Sequence, residues 1–316
     1  MQTRSIPLLG EKTIDVYAQT HIAVFGLGGV GGYVVEALAR SGIGMFTLFD
    51  FDKIAPSNKN RQIIALDSTV GKWKCEVMKE RILDINPAVH VEYHLDKVDE
   101  EFLDKIDFHS FDYVIDCIDD IKGKLAIITK AKMAGIHLIS SCGTGNKLDS
   151  TQFKIADISK TSVCPLAKKM RIELKKRDIH GVDVLYSLEE PHVQADFIPS
   201  VSFVPSVAGL LIARHVLLKL RELVLASRVH LVLEGGGMKG VYTDGVLDCF
   251  LDHNIEFDAI YGVSAGACAA TSLVSKQRKR AYHAMVDYLG NPEYASKRSL
   301  LKTGNYFNKE FVYYKI

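Results

Sequence analysis

The 316-residue chain carries no strong charge, with a formal net charge of +1. A global basic field is therefore absent, and any nucleic-acid contact has to be a local patch. Its six cysteines, Cys75, Cys117, Cys142, Cys164, Cys249 and Cys268, form no CxxC pair. That excludes the usual spacing of a structural zinc site, and the scatter fits reduced, cytosolic thiols. Met1–Gly10 has no long apolar run, so no signal peptide is expected. The apolar stretch Val207–Leu220 is broken by Arg214 and His215 and is too short to span a bilayer comfortably. It reads as a buried helix, with no stable membrane insertion. No internal repeat is visible.

Hydrophobic residues make up 47% and charged residues 24%, the balance of a soluble globular protein with room for two domains. The first part alternates strand and helix patterns. Short apolar runs occur at His21–Gly26, Met45–Asp50, Val89–His94, Asp112–Cys117 and His137–Ser141. Between them lie helical patterns over Gly29–Ser41, Lys74–Ile85 and up to Ala134. This rhythm predicts an α/β fold, a Rossmann-like parallel sheet with helices on both faces. Gln152–Ile158 predicts a further strand outside that core, Lys168–Arg177 a very basic helix or loop, and Ser206–Leu223 a helix. The pattern then restarts with a strand at Val229–Leu233, a helix at Val241–Asp252 and a strand at Asp258–Tyr261. Residues 1–222 are thus expected to be one domain, 223–228 a linker, and 229–316 an incomplete second α/β unit.

Two glycine-rich turns carry chemistry. Gly26, Gly28, Gly29 and Gly31 lie between the first strand and the first core helix. Glycine is needed there because backbone amides must approach phosphate without a Cβ in the way. The helix start adds unpaired N–H groups and a positive dipole end. The spacing also satisfies GxGxxG, and Asp50 sits where a ribose-binding acid belongs, so NAD binding is the reading of this motif alone. Its companions point elsewhere. Asp52 follows Asp50, then come Asn58 and Arg61 in SNKNRQ, then Lys74 at a helix start. Arginine and lysine beside a nucleotide favour triphosphate handling over hydride transfer. Asp116 and Asp119, at the end of the fourth strand, lie at the sheet's carboxyl edge, where a carboxylate can hold Mg²⁺.

The second turn, Gly235, Gly236 and Gly237, precedes the GxSxG sequence around Ser264. GxSxG between a strand and a helix is the pattern of a nucleophile elbow, and the triplet has the amides for an oxyanion hole.

From about Arg4 to Leu220 the chain resembles the ubiquitin-activating-type (ThiF-like) adenylating superfamily, and within it the tRNA threonylcarbamoyladenosine dehydratases. The segments Val24–Asp52, Ser57–Gln62, Val70–Pro87, Asp112–Ile128, Gly143–Thr161 and Cys164–Lys176 carry the likeness. It implies ATP and Mg²⁺ as cofactors, tRNA as substrate, and a homodimer. By position it assigns Gly26, Gly28, Gly29 and Gly31 to the nucleotide and Asp50 and Asp52 to the ribose. It assigns Asn58, Arg61 and Lys74 to the phosphates and Asp119 to the metal or the α-phosphate. Arg61, Lys74 and Asp119 would serve the reaction. Arg4 would be the N-terminal arginine inserted into the neighbouring subunit's site. Asp120, Lys122 and Cys142 depart from the family pattern, and Ile179–Asp196 is shorter than in many relatives, which touches the RNA-facing loop. A sulfur-carrier activator of the same superfamily, with a carrier-protein partner, is the alternative. From Val229 onward the chain resembles the N-terminal part of bacterial patatin-like phospholipases. Their aspartate lies far beyond the serine, so Ser264 is expected to lack its base and this unit to be a poorly stable, inactive fragment. Lipid acyl hydrolysis is the third reading.

Overall fold

The computed structural model describes residues 1–226, 229–236, 240–288 and 291–305. They fall into two compact units, Met1–Val224 and Leu225–Ile316.

The first unit is built on seven strands: β1 (His21–Phe25), β2 (Met45–Phe49), β3 (His90–His94), β4 (Tyr113–Asp116), β5 (His137–Ser141), β6 (Phe153–Asp157) and β7 (Asp183–Ser187). Their order across the sheet is β3-β2-β1-β4-β5-β7-β6. All neighbours pair in parallel except β6, which runs antiparallel to β7 at the edge. β1 and β4 are wholly or almost wholly buried, as strands covered on both faces must be.

Helices α1 (Ile6–Leu9), α2 (Glu11–Gln19), α3 (Gly31–Ser41), α4 (Lys74–Ile85), α5 (Glu100–Leu103), α6 (Ile121–Met133), α7 (Pro165–Lys176) and α8 (Phe203–Ala226) cover the sheet. α3, α4 and α8 pack on one face through Val34, Leu38, Met78, Ile82, Ile212 and Val216. α6 and α7 pack on the other through Leu125, Ile128, Ala167, Met170 and Leu174. The spacing of these residues at three and four is what makes one stripe of each helix apolar. Asp120 caps α6 by accepting a hydrogen bond from Gly123 N at 2.7 Å, and Pro165 opens α7 at its first turn. The Lys168–Arg177 stretch, left open as helix or loop, is helix α7. The edge strand expected at Gln152–Ile158 is β6.

Three features depart from the sequence reading. The linker expected at 223–228 is helix α8 as far as Ala226. α1 and α2 were not anticipated, yet Tyr17 of α2 is fully buried and its hydroxyl donates to Leu217 O of α8 at 2.5 Å. β7 was not anticipated either, because its short run Val184–Tyr186 lies between two loop-like segments. Helix α8 is the one described helix long and apolar enough to cross a membrane by length and composition. Val204, Ala208, Ile212, Val216 and Leu220 form a stripe buried in the core.

In the second unit β8 (His230–Leu233) and β9 (Ala259–Gly262) form a two-stranded parallel sheet. Helices α9 (Gly240–Asp252) and α10 (Ala265–Val274) pack on it around Leu233, Leu247, Ala269 and Leu273. This core is small, and Val232, Tyr242, Val263 and Val274 remain exposed.

Candidate nucleotide site

The strand order reverses between β1 and β4, and such a switch point opens a crevice at the carboxyl ends of the strands. Two glycines make the crevice possible. Gly26 has φ +88°, and a Cβ on it would lie 2.9 Å from the Cys117 carbonyl carbon. A Cβ on Gly31 would lie 1.8 Å from Gly26 O, so α3 could not start there with any other residue. Gly28 is different: the nearest atom to its missing Cβ is Gln62 Nε2 at 3.9 Å, which leaves the loop's outer side open. Gly29 lies under Arg61, whose Cγ is 3.4 Å from its Cβ position. The loop and the SNKNRQ segment therefore face one another.

Asp50 is buried at the end of β2. It accepts Leu27 N at 2.7 Å and Asp52 N at 2.9 Å, which ties the glycine loop to the second strand. Burial holds its carboxyl above the ordinary range, against the pull of Lys74. Lys74 Nζ lies 2.6 Å from Asp52 and 3.6 Å from Asp50. A buried ammonium between two carboxylates, one of them half-exposed, is positioned to exchange Asp52 for an incoming phosphate. Asn58 Oδ1 accepts Ala55 N at 3.0 Å and shapes the turn that presents Arg61. Arg61 is held by Ser57 O at 3.0 Å and Asn60 Oδ1 at 2.9 Å, both neutral acceptors, and it makes no ion pair among the described residues. Asp119 is exposed beyond β4.

The structure separates the two acids that end β4. Asp116, read as a possible metal ligand, is fully buried. It binds Lys124 Nζ at 3.0 Å and Ser140 Oγ at 2.6 Å, and Lys124 also donates to Ser141 O at 2.7 Å. Asp116 is thus consumed by the core, and Asp119 is the acid left at the edge. Lys124 went unnoticed because its partners lie on β4 and β5, far away in sequence. Gln62 was also passed over. It is buried, its Oε1 has no partner among the described residues, and it adjoins Gly28. An orphaned acceptor beside an open glycine loop fits a bound nucleotide that supplies the missing donor. Arg4 is exposed and has no hydrogen bond or ion pair among the described residues.

In the second unit Ser264 caps α10 with φ 55° and ψ −121°, a strained turn that exposes a side chain between strand and helix. A Cβ on Gly235 would lie 3.0 Å from Ser264 Cβ, so the first glycine of the triplet borders the serine. Gly236 is exposed, and Gly237 lies outside the described residues. Among the described residues Ser264 Oγ makes no hydrogen bond to a histidine or carboxylate. Asp287 pairs with His283, and Asp244 is buried among Leu247, Ser272 and Leu273.

The first unit's crevice suits a nucleotide whose phosphates are met by cations, with Arg61 beside Gly29 and Lys74 beside Asp50. The sequence model of the ThiF family matches residues 2–236, and the chain belongs to that family. It is 40% identical over 244 residues to the tRNA threonylcarbamoyladenosine dehydratase of Bacillus subtilis, covering 70% of this chain and 94% of that protein. The crystal structure of the Escherichia coli tRNA N6-threonylcarbamoyladenosine dehydratase in complex with AMP superposes with a TM-score of 0.67 at 36% identity. That match covers 71% of this chain and 95% of the other. The same enzyme in complex with ATP gives 0.66 over the same coverage. The family model of patatin-like phospholipases matches residues 231–315.

Proposed function

We propose that the first unit catalyses the ATP-dependent dehydration of threonylcarbamoyladenosine in tRNA. The observation that carries this is the converging set of Gly26, Gly28, Asp50, Arg61 and Lys74 at the switch point, in a chain that spans nearly the whole length of the Bacillus subtilis dehydratase. The chemistry follows from leaving-group ability. The threonyl carboxylate oxygen attacks a phosphorus of ATP, the phosphoanhydride bond at that phosphorus breaks, and a mixed anhydride forms as the other phosphate portion of ATP leaves. The carbamoyl group of the same nucleoside then attacks the activated carbonyl carbon and closes a five-membered ring. The oxygen leaves on the phosphate, and the net loss from the nucleoside is one water. No protein nucleophile is required, so the protein positions the reactants and stabilises charge. Asp50 and Asp52 would hold the ribose, while Asn58, Arg61 and Lys74 would hold the phosphates.

Among the described residues no cluster of three or more His, Cys, Asp or Glu could hold a metal. A Mg²⁺ ion would therefore take Asp119, phosphate oxygens and water, its usual arrangement on a nucleotide. It would neutralise phosphate charge. The sulfur-carrier reading is less well supported. Such activators usually need a thiol, and in the first unit burial pushes the thiols of Cys75, Cys117 and Cys142 up to about 12, while Cys164 is also buried; the exposed Cys249 and Cys268 lie in the second unit. We read the protein as a cytoplasmic homodimer, and the second unit as inactive in lipid hydrolysis, since among the described residues Ser264 Oγ has no histidine or carboxylate bonded to it.

The test is tRNA from cells lacking the gene. The cyclic form of the modified base should be missing there, and its persistence without a second enzyme would refute the reading.

A further inference from the structure

The segment that leaves β7 after Ser187 and enters α8 at Phe203 runs against the loop that follows β5. It is tied down at four points, one through a side chain and three through its backbone. Glu189 accepts Leu148 N at 2.9 Å and Asp149 N at 3.0 Å. Asn146, at φ 58°, accepts His192 N and Val193 N at 3.0 and 3.1 Å and donates to Val193 O at 2.6 Å. Its own N–H donates to Pro199 O at 2.6 Å. Asn60 Nδ2, one residue from Arg61, donates to Ser200 O at 2.9 Å. The strap thus joins the loop after β5 to the arginine of the nucleotide site.

A backbone held this firmly still presents apolar side chains to solvent. Phe197 is 73% exposed and Ile198 74%. Ile198 leans on Gly145, whose Cβ position is 2.2 Å from Ile198 Cγ2. Among the described residues no aromatic ring packs on Phe197. Helix α7 borders the same loop through its N-cap Cys164, whose Sγ is 3.6 Å from the Cβ position of Gly143, and Lys168 and Lys169, one turn into α7, are exposed without an ion pair among the described residues.

We propose that Phe197 is a stacking platform for an unpaired nucleobase of single-stranded RNA, with Lys168 and Lys169 receiving the adjoining phosphates. A bare aromatic face stacks on any base, and neighbouring lysines supply the phosphate contacts that a stacked base brings with it. A thiol-dependent carrier tail is the less fitting occupant, because the thiols at this edge are buried. The proposal deepens the tRNA reading above and rests on it.

The experiment uses the full chain carrying Phe197→Trp, with ATP present. It is titrated with a labelled RNA hairpin whose loop has unpaired adenosines, and with a blunt RNA duplex of equal length. Hairpin binding should quench the new tryptophan, over the constant background of Trp73, and the duplex should not. Phe197→Ala should weaken hairpin binding roughly five- to hundred-fold, and Phe197→Tyr should keep it. Hairpin binding of equal strength in Phe197→Ala with no quenching overturns the platform and leaves the tRNA reading intact. Failure of the unaltered protein to bind the hairpin overturns both. Quenching by a peptide ending in Gly-Gly, and not by RNA, overturns the proposal in favour of a carrier.

Discussion

Lys124 Nζ lies 3.0 Å from Asp116 Oδ2, and neither side chain has any exposed surface. The pair joins α6 to β4, directly below the segment that carries Asp119. Asp116 Oδ1 also accepts Ile118 N at 3.2 Å, so the pair reaches the site through that turn. Removing one partner strands a buried charge. Lys124→Ala should cost about 3–5 kcal/mol of stability. Urea unfolding followed by the fluorescence of Trp73, which lies in the first unit, measures this. A loss below about 1 kcal/mol would mean that water enters and solvates Asp116.

Among the described residues Arg61 has only neutral acceptors, Ser57 O and Asn60 Oδ1, so its removal breaks no ion pair there. Arg61→Ala should abolish ATP-dependent activity while changing the unfolding midpoint by an amount typical of surface substitutions, within about 0.5 kcal/mol. Steady-state kinetics and thermal unfolding of the same sample separate the two effects. Retained activity would remove Arg61 from the phosphate site.

Asp244 is 3% exposed, both of its carboxylate oxygens lack a partner among the described residues, and its pKa is raised to about 6 by burial and, secondarily, by Asp248. A raised carboxyl pKa in the folded state favours the protonated form. The second unit should therefore be most stable below pH 4 with respect to this group, and lose that contribution as pH rises from 4 to 6. Hydrogen exchange of α9 and α10 amides in the full chain should quicken across this window beyond the intrinsic rate. Asp244→Asn should remove most of that dependence; an unchanged profile would assign it to other groups.

Ser264 holds φ 55° and ψ −121°, a region that costs a residue with a Cβ of the order of 1–3 kcal/mol. Ser264→Gly should slow hydrogen exchange in α10 by relieving that strain. Equal or faster exchange would show that the Ser264 side chain contributes more than the strain costs. Esterase turnover by the unaltered chain, lost in Ser264→Ala, would contradict the inactivity assigned to this unit.

Much of the first unit was legible because its signals are local. The glycine loop, the strand ends at Asp50 and Asp116, and the start of α4 at Lys74 each sit beside the residues that define them. What the sequence hid is non-local. Asp116 looks like an edge carboxylate until Lys124 and Ser140 are folded onto it. Gln62 looks like the tail of a motif until its amide is found next to Gly28. β7 was missed because Val184–Tyr186 is short and gains its identity from β5 and β6 on either side. The N-terminal helices depend on α8, more than 180 residues away, where Leu217 O receives the Tyr17 hydroxyl 200 residues along the chain.

The most direct measurement is the reaction itself. The purified chain is incubated with ATP, Mg²⁺ and tRNA bearing linear threonylcarbamoyladenosine, and the digested nucleosides are weighed by mass spectrometry. The account predicts a product lighter by one water, formed only with ATP and absent with Arg61→Ala. Unchanged nucleoside in the presence of ATP, from a folded chain that binds both substrates, would contradict it.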